Sequence, residues 1–548
     1  MGQGMIRLSD LALPLDHEPA ELEAAACARL GIAAGDLERL TVFRRGNDAR
    51  KKAAIKLVYT LDLVVKDEAG VLARHAGDPH VRPTPDMTYR LPVTAPDGWP
   101  NDASAGRPVV IGAGPCGLMA ALILAQMGLR PIIIERGQAV RTRTKDTWGL
   151  WRRHELKVES NVQFGEGGAG TFSDGKLYSR IKDPRHLSRK VLTEFVKAGA
   201  PEDILSEAHP HIGTFRLVTM VMSIRETIEG LGGEYRFGTR VEDFVLENGQ
   251  LTGLKLSTGE LLPARHVVLA VGHSARDTFA ALYEAGVHVE AKPFAIGVRI
   301  EHPQSWIDKA RYGPNAGNRI LGAAAYSLAH KASNGRSVYS FCMCPGGRVV
   351  AATSEEGRVV TNGMSQYSRA EFNANSGLVV DIEPERDFPG HPLAGVDLQR
   401  RLEEAAFQAG GGDYSAPGQR LEDFLSGRPS DHFGVVQPSY KPGVKPTDLG
   451  AVLPAFVTEA LREALPVFGR QVPGYDHGDA VLTGVETRTS SPVRIRRGAD
   501  FQSINTRGLY PAGEGAGYAG GILSAAVDGI KVAEALAVSL LASPAGEE

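Results

Sequence analysis

Residues 109–136 read VVIGAGPCGLMAALILAQMGLRPIIIER. Val109 to Ile111 has the makings of an apolar strand, and Gly112-Ala113-Gly114-Pro115-Cys116-Gly117 follows as a glycine turn. An apolar helix runs on to Met127, Gly128 stops it, and a second strand ends at Glu135. Strand, turn, helix, strand and an acidic residue about 20 positions on form a dinucleotide-binding βαβ unit, a far narrower signal than three glycines alone. Gly112 permits the tight turn, Gly114 lets a pyrophosphate approach the backbone, and Gly117 lets helix and strand pack closely. Pro115 and Cys116 open the helix, whose N-terminus offers unpaired N–H groups and partial positive charge to a diphosphate. Glu135 is placed to accept ribose hydroxyls, with Arg136 beside it.

Distal segments select the cofactor. RHVVLAVGH (265–273) is an apolar strand ending in Gly272, and it resembles a strand of the two-dinucleotide flavoproteins. RGLYPAGEGAGYAGGILSAAVDGIKVAEAL (507–536) resembles their C-terminal flavin motif. There a strand ends at Gly513-Glu514 and a second glycine loop opens a long helix at Gly521-Ile522. Many such enzymes carry Asp where Glu514 stands, so this chain departs from them mildly. In EGGAGTFSDGK (166–176), Gly167, Gly168 and Gly170 can present N–H groups to a diphosphate or flavin, with Thr171 and Ser173 reaching the ring edge. Lys176 would favour a reduced, anionic flavin if it lies near the ring; a solvated lysine is the other reading. Val241 completes the expected cofactor set. Three separated segments returning to one ligand are the layout of a glutathione-reductase-like FAD fold, and the expected cofactor is non-covalent FAD.

The chain also resembles the bacterial FAD-dependent dehydrogenases (NAD(P)/FAD-dependent oxidoreductases), relatives of the fumarate-reductase-like flavoproteins. The resemblance covers nearly the whole length. It is carried by RRGNDARKK (44–52), EGGAGTFSDGKLYSR (166–180), HPHIGTFRL (209–217), KPFAIGVRIEHP (292–303), FCMCPGG (341–347), NGMSQYSR (362–369) and ETRTSSPVRI (486–495). It implies the same fold and an oxidoreductase reaction class.

The 548 residues leave room for two or three domains, and 43% hydrophobic with 23% charged residues is a globular composition. A net charge of −3 argues against a general nucleic-acid binder. Glycine is the outlier at 64 residues, about 12% against a usual ~7%. Four cysteines make no disulfide framework, no apolar run approaches the ~18 residues of a membrane span, and no signal-peptide core opens the chain; a cytoplasmic protein is expected. The reading is an α/β protein in five stretches. Residues 1–92 form a small N-terminal α+β, ferredoxin-like module, and 93–108 a Pro/Gly linker. Residues 109–290 are the first part of the FAD-binding Rossmann domain, 291–480 an inserted α+β substrate or cap domain, and 481–548 the C-terminal return.

In ETRTSSPVRI, Arg488 and Arg494 stand among hydroxyls at Thr487, Thr489, Ser490 and Ser491. Converging on one point they would make a carboxylate or phosphate site; otherwise the loop braces two domains through salt bridges. Arg496 and Arg497 read as solvent-facing. SVYSFCMCPGGRVVAATS (337–354) has the pattern of strand, Pro-Gly-Gly turn and strand, a hairpin with Cys342 and Cys344 on one face. Buried packing, a redox pair and a metal site are its three readings, with any chemistry confined to one thiol, Cys342, at the cleft. The candidate catalytic residues are thus Lys176, Arg488, Arg494 and Cys342, and no metal is expected, His209 and His211 being structural. The basic run Arg44, Arg45, Arg50, Lys51 and Lys52, in a loop between two strands, reads as a solvated hairpin tip or as a grip for RNA, an acidic protein partner or an acidic substrate.

No second G-x-G-x-x-G set in a strand, turn, helix and strand pattern exists to hold a nicotinamide. Electrons are expected to come from the substrate, from a carrier protein, or from NAD(P)H bound without its own Rossmann half. The expected function is hydride transfer between flavin N5 and a small-molecule, possibly anionic, substrate. A flavin-dependent RNA-modifying enzyme and a non-catalytic flavin scaffold are the alternatives, with nucleic acid an unlikely partner.

Overall fold

The computed structural model describes residues 4–99 and 106–542, so part of the expected linker, 100–105, lies outside the described residues. Its centre is a five-stranded, wholly parallel sheet in the order Leu509–Pro511, Val267–Leu269, Val109–Ile111, Ile132–Ile134, Glu234–Arg236. Four of these strands are apolar at almost every position and fully buried. A parallel sheet demands this, because both its faces are covered. The helices Pro115–Gln126 and Ile522–Ala542 share one apolar core against it. They meet at Gly529, where a Cβ would lie 2.3 Å from the Cys116 carbonyl oxygen.

The N-terminal module runs strand Ile6–Pro14, helix Pro19–Leu30, strands Leu37–Asp48 and Lys56–Val65, helix Glu68–Arg74 and strand Val81–Pro83. In space, first to fourth, the strands are ordered second-third-first-fourth and all antiparallel, which is the ferredoxin-like arrangement. Its first helix starts where the sequence signals say: Glu18 and Glu21 form a capping box, Pro19 takes the first turn, and Gly31 ends the helix at φ +65°. Leu57, Tyr59, Leu61 and Leu63 fill the core at period two. The basic run matches its reading in part: Arg50, Lys51 and Lys52 stand in the turn between the two strands. Arg44 and Arg45 lie inside the strand Leu37–Asp48, because this hairpin's strands extend further than the charge pattern suggested. Arg45 pairs with Glu207 of the nucleotide domain, and Arg50 with Asp48.

A larger mixed sheet makes the third layer. Phe294–Pro303 and Asn373–Ile382 pair along their full lengths at its middle, flanked by Ser337–Ala351 and Val481–Glu486. The expected cap boundary at residue 480 therefore falls before a strand that belongs to the cap sheet, and the chain returns to the nucleotide domain only after Glu486. The expected hairpin at 337–354 does not form. Ser337–Ala351 is one bent strand that passes straight through Pro345-Gly346-Gly347. Two bulges, between Phe341 and Cys344 and between Cys344 and Gly347, absorb the Pro-Gly-Gly irregularity without reversing the chain. Its first half pairs with Asn373–Ile382, its second with Thr361–Ser365. Among the described residues no helix is long and apolar enough to cross a membrane.

Candidate cofactor and substrate cavity

A cavity of about 360 Å³ lies where the carboxyl ends of the parallel strands face the mixed sheet. Crevices at that edge are the usual ligand sites of open α/β sheets. The turn after Val109–Ile111 forms one wall. Gly112 sits at φ +97°, and a Cβ there would come within 2.4 Å of the Ala270 carbonyl oxygen. Gly117 is buried under the same turn, where a Cβ would stand 1.8 Å from the Gly112 carbonyl oxygen. Gly114, Pro115 and Cys116 line the cavity, and the first-turn amides of the helix they open have no intrahelical acceptor. Glu135 is held in place by three amides: Oε2 accepts from Ala113 at 2.8 Å, and Oε1 from Gly137 and Gly165, both at 2.9 Å. Arg136 lines the cavity with its charge matched by Glu159 and Asp277.

The other expected cofactor positions divide. Gly168, Gly170, Val241, Gly272, Glu514, Gly521 and Ile522 all line the same cavity. Gly167 and Thr171 stand one layer back, at a small apolar gap beside Ile522. Gly513 is also behind the wall, its N–H donating to Asp528 at 2.8 Å. Glu514 faces His273, with 3.3 Å between carboxylate and ring nitrogen. Two helix N-termini and side-chain-free loops at one cavity suit a diphosphate, and the Glu135 carboxylate suits a hydroxyl donor. These residues fit FAD. Gly114, Glu135 and the helix starts would hold its dinucleotide part.

Sequence reasoning missed what supports this cradle. Arg143, fully buried, donates to the carbonyls of Asn161, Val162, Gly165 and Glu166 and so shapes the loop that carries Gly168. Nothing in RTRTK distinguishes it from a solvated helix arginine. Arg497 also departs from its reading: it is mostly buried, bonded to both oxygens of Asp528, while Arg496 is exposed.

The hydroxyls around Arg488 and Arg494 do not converge. Thr487 donates to Glu403, Thr489 to the Ala295 carbonyl and Ser491 to the Gly515 carbonyl. Arg494 lies outside the cavity lining, against Gly517 and Tyr518. Arg488 lines the cavity, but its guanidinium grips both oxygens of Glu403 at 3.0 and 2.8 Å and the hydroxyls of Ser274 and Ser354. Arg276 grips the same carboxylate. The bracing reading of the loop is the one the geometry forms, because a glutamate some 85 positions upstream reaches the arginine first.

Glu355 extends that cluster. Burial raises its carboxyl, but hydrogen bonds from Arg400 and the charges of Arg276 and Arg488 outweigh burial and hold it at about 2. A depressed carboxyl stabilises the fold above its unfolded value of ~4.3 and loses that contribution as pH falls towards the folded value. The difference in urea midpoint between the protein and Glu355→Gln is therefore expected to be full at pH 6 and to shrink steadily to pH 2. A difference constant across that range would contradict it.

Lys176 lines the cavity, and its ammonium donates to the Met343 carbonyl. Cys342 and Cys344 line it too, both as free thiols. They do not alternate as on a regular strand: Cys342 sits at φ +41°, exposed to the cavity, and Cys344 is buried. Although Cys342 faces the cavity, the protein packed around that cavity keeps it poorly hydrated and pushes the thiol up to about 12 despite the nearby Lys176 charge; desolvation raises Cys344 as well. His209 packs edge-on to Tyr178, and His211 stacks on Tyr367 while contacting its carbonyl.

Known proteins agree with this picture in part. A family model described as "FAD-dependent protein, C-terminal domain-like" matches residues 293–489, an "FAD binding domain" matches 107–146, and a domain of unknown function matches 5–64. An uncharacterised protein of Clostridium beijerinckii is 48% identical over 96% of this chain and 98% of its own length. Protein FixC of Escherichia coli is 26% identical over 40% of this chain and 48% of its own. Glycine oxidase from Geobacillus kaustophilus shares 11% identity over 81% of this chain and 96% of that one, with a TM-score of 0.34.

Proposed function

We propose, from the premise that the chain belongs to the family of FAD-dependent oxidoreductases, that it passes a hydride between FAD and a small-molecule substrate. The observation that carries this reading is the shared cavity: one wall is the glycine turns of the parallel sheet, the other is Phe341, Cys342, Cys344 and 361–363 of the mixed sheet, with Val360 beside them. FAD supplies two-electron chemistry when bound, and the protein supplies orientation and electrostatics. The chain's own residues then have separable tasks. Gly114 keeps a side chain out of the cofactor's path, Gly112 and Gly168 let the two glycine turns close on each other and on Ala270, and Glu135 holds the ribose. Lys176, with Cys342 beside it, faces the substrate half. Electrons enter or leave through the substrate, a carrier protein or NAD(P)H.

The protein purified from cells is expected to be yellow and to release FAD on acid precipitation. Mixing it anaerobically with NADH, NADPH and dithionite then shows which donor bleaches the flavin. Release of FMN, or of no flavin, would defeat the cofactor reading. Bleaching by dithionite alone would exclude NADH and NADPH as donors and leave the substrate or a carrier protein as the electron source.

A further inference from the structure

One carboxyl on the substrate wall has half of its hydrogen-bonding capacity turned to the cavity. Glu486 ends the strand Val481–Glu486 and is 3% exposed. Its Oε2 accepts from Arg299 at 3.1 Å and from the Thr361 hydroxyl at 3.4 Å. Its Oε1 accepts no hydrogen bond from the described residues and is not sealed off, since Glu486 lines the cavity.

The support beneath it is built. Arg299, fully buried on Phe294–Pro303, also donates to Asn375 Oδ1 and to the Cys342 carbonyl, both at 2.9 Å. Gly363 makes room for it: a Cβ there would stand 2.3 Å from an Arg299 nitrogen. Arg299 is thus a positioning residue that fixes Glu486 Oε2 and leaves Oε1 free. The other titratable groups that act on Glu486 are His273, from the loop after Val267–Leu269, and Cys342 on the bulged strand.

The arginines on the cavity wall are already engaged, Arg488 by Glu403, Arg136 by Glu159 and Asp277, Arg240 by Glu159 and Glu242, while Lys176 uses one of its three N–H donors on the Met343 carbonyl. Beside that lysine, the substrate half offers one open acceptor.

We infer that Glu486 Oε1 is the proton-transferring group of this site, acting on a substrate whose reacting carbon bears an O–H or N–H group. The inference rests on the oxidoreductase reading above. In the oxidising direction the proton on oxygen or nitrogen passes to Glu486 while the carbon's hydride, with its electron pair, goes to FAD. One C–H and one O–H or N–H bond break, and a C=O or C=N bond forms. The reverse direction returns the same proton from Glu486. Burial raises the Glu486 carboxyl against the opposing charge of Arg299, which brings proton exchange closer to neutral pH.

Infrared difference spectra of the FAD-loaded full chain, reduced with dithionite minus oxidised, test this without a substrate. Charge gained in the cavity on reduction should draw a proton onto Glu486. The expected result is a protonated-carboxyl band that shifts when the protein carries ¹³C-labelled glutamate and is lost in Glu486→Gln. If that variant fails to fold, Glu486→Asp should move the band out of the ¹³C-glutamate signal. No carboxyl band in flavin-loaded protein, or a band surviving unchanged in Glu486→Gln, would overturn the inference while leaving the FAD reading intact. Protein without a flavin absorbance band would remove both.

Discussion

Gly114→Trp is expected to give folded, colourless protein. The glycine lines the cavity, and a Cβ there meets only the Gly168 Cα, at an ordinary 3.7 Å. Its φ is −77°, open to any residue. The indole therefore has somewhere to go, and that place is the space a diphosphate needs between the two glycine turns. Gly112 and Gly117 would be poorer tests, since their Cβ atoms would strike backbone and disturb the fold itself. The measurement is flavin absorbance per mole of protein, with circular dichroism to show that the fold is kept. Loss of at least nine-tenths of the flavin is expected. A variant that stays yellow would put the diphosphate elsewhere.

Glu403→Ala should cost about 3–5 kcal/mol, the usual penalty for leaving a buried charge unpaired. The glutamate is fully buried and takes five hydrogen bonds, from Arg276, Arg488 and Thr487. Removing it leaves two guanidinium groups, 3% and 7% exposed, facing each other without their shared counter-charge. Burial opposes ionisation of Glu403, yet the two arginines hold its carboxyl well below the usual range. Urea denaturation of the full chain reads the loss. Because Arg276 begins the helix Arg276–Glu284 of the nucleotide domain and Glu403 lies on the cap helix Ala394–Gly410, the variant should also loosen the contact between the two layers. Faster proteolysis in the cap of the variant would register that. A cost below about 1 kcal/mol would mean that the arginines find other partners or water, as exposed pairs do.

Sequence signals suffice where the physics is local. The turn at Gly112–Gly117 needs residues without side chains at fixed offsets, and its flanking strands are buried on both faces; each condition is written into neighbouring positions. The first helix, with its capping box, Pro19 and Gly31, is another such case, as is the period-two strand through Leu57 and Leu63. The sequence by itself therefore determined the βαβ unit, the glycine loops at 167–170 and 520–521, and the ferredoxin-like module. Tertiary structure alone decided the partners of charges. Arg488 looked like an anion ligand until Glu403 arrived from a helix about 85 residues away, and Arg497 looked solvated until Asp528 faced it. The same holds for Ser337–Ala351, where a Pro-Gly-Gly stretch that turns many chains is carried through by pairing with two different strands. Nothing next to Glu486 in the sequence marks it, because the oxygen it leaves open depends on Arg299, Thr361 and Gly363 from three other places in the chain. Backbone geometry is set by nearest neighbours, but an ion pair or a free lone pair is set by whichever group the fold brings within about 3 Å.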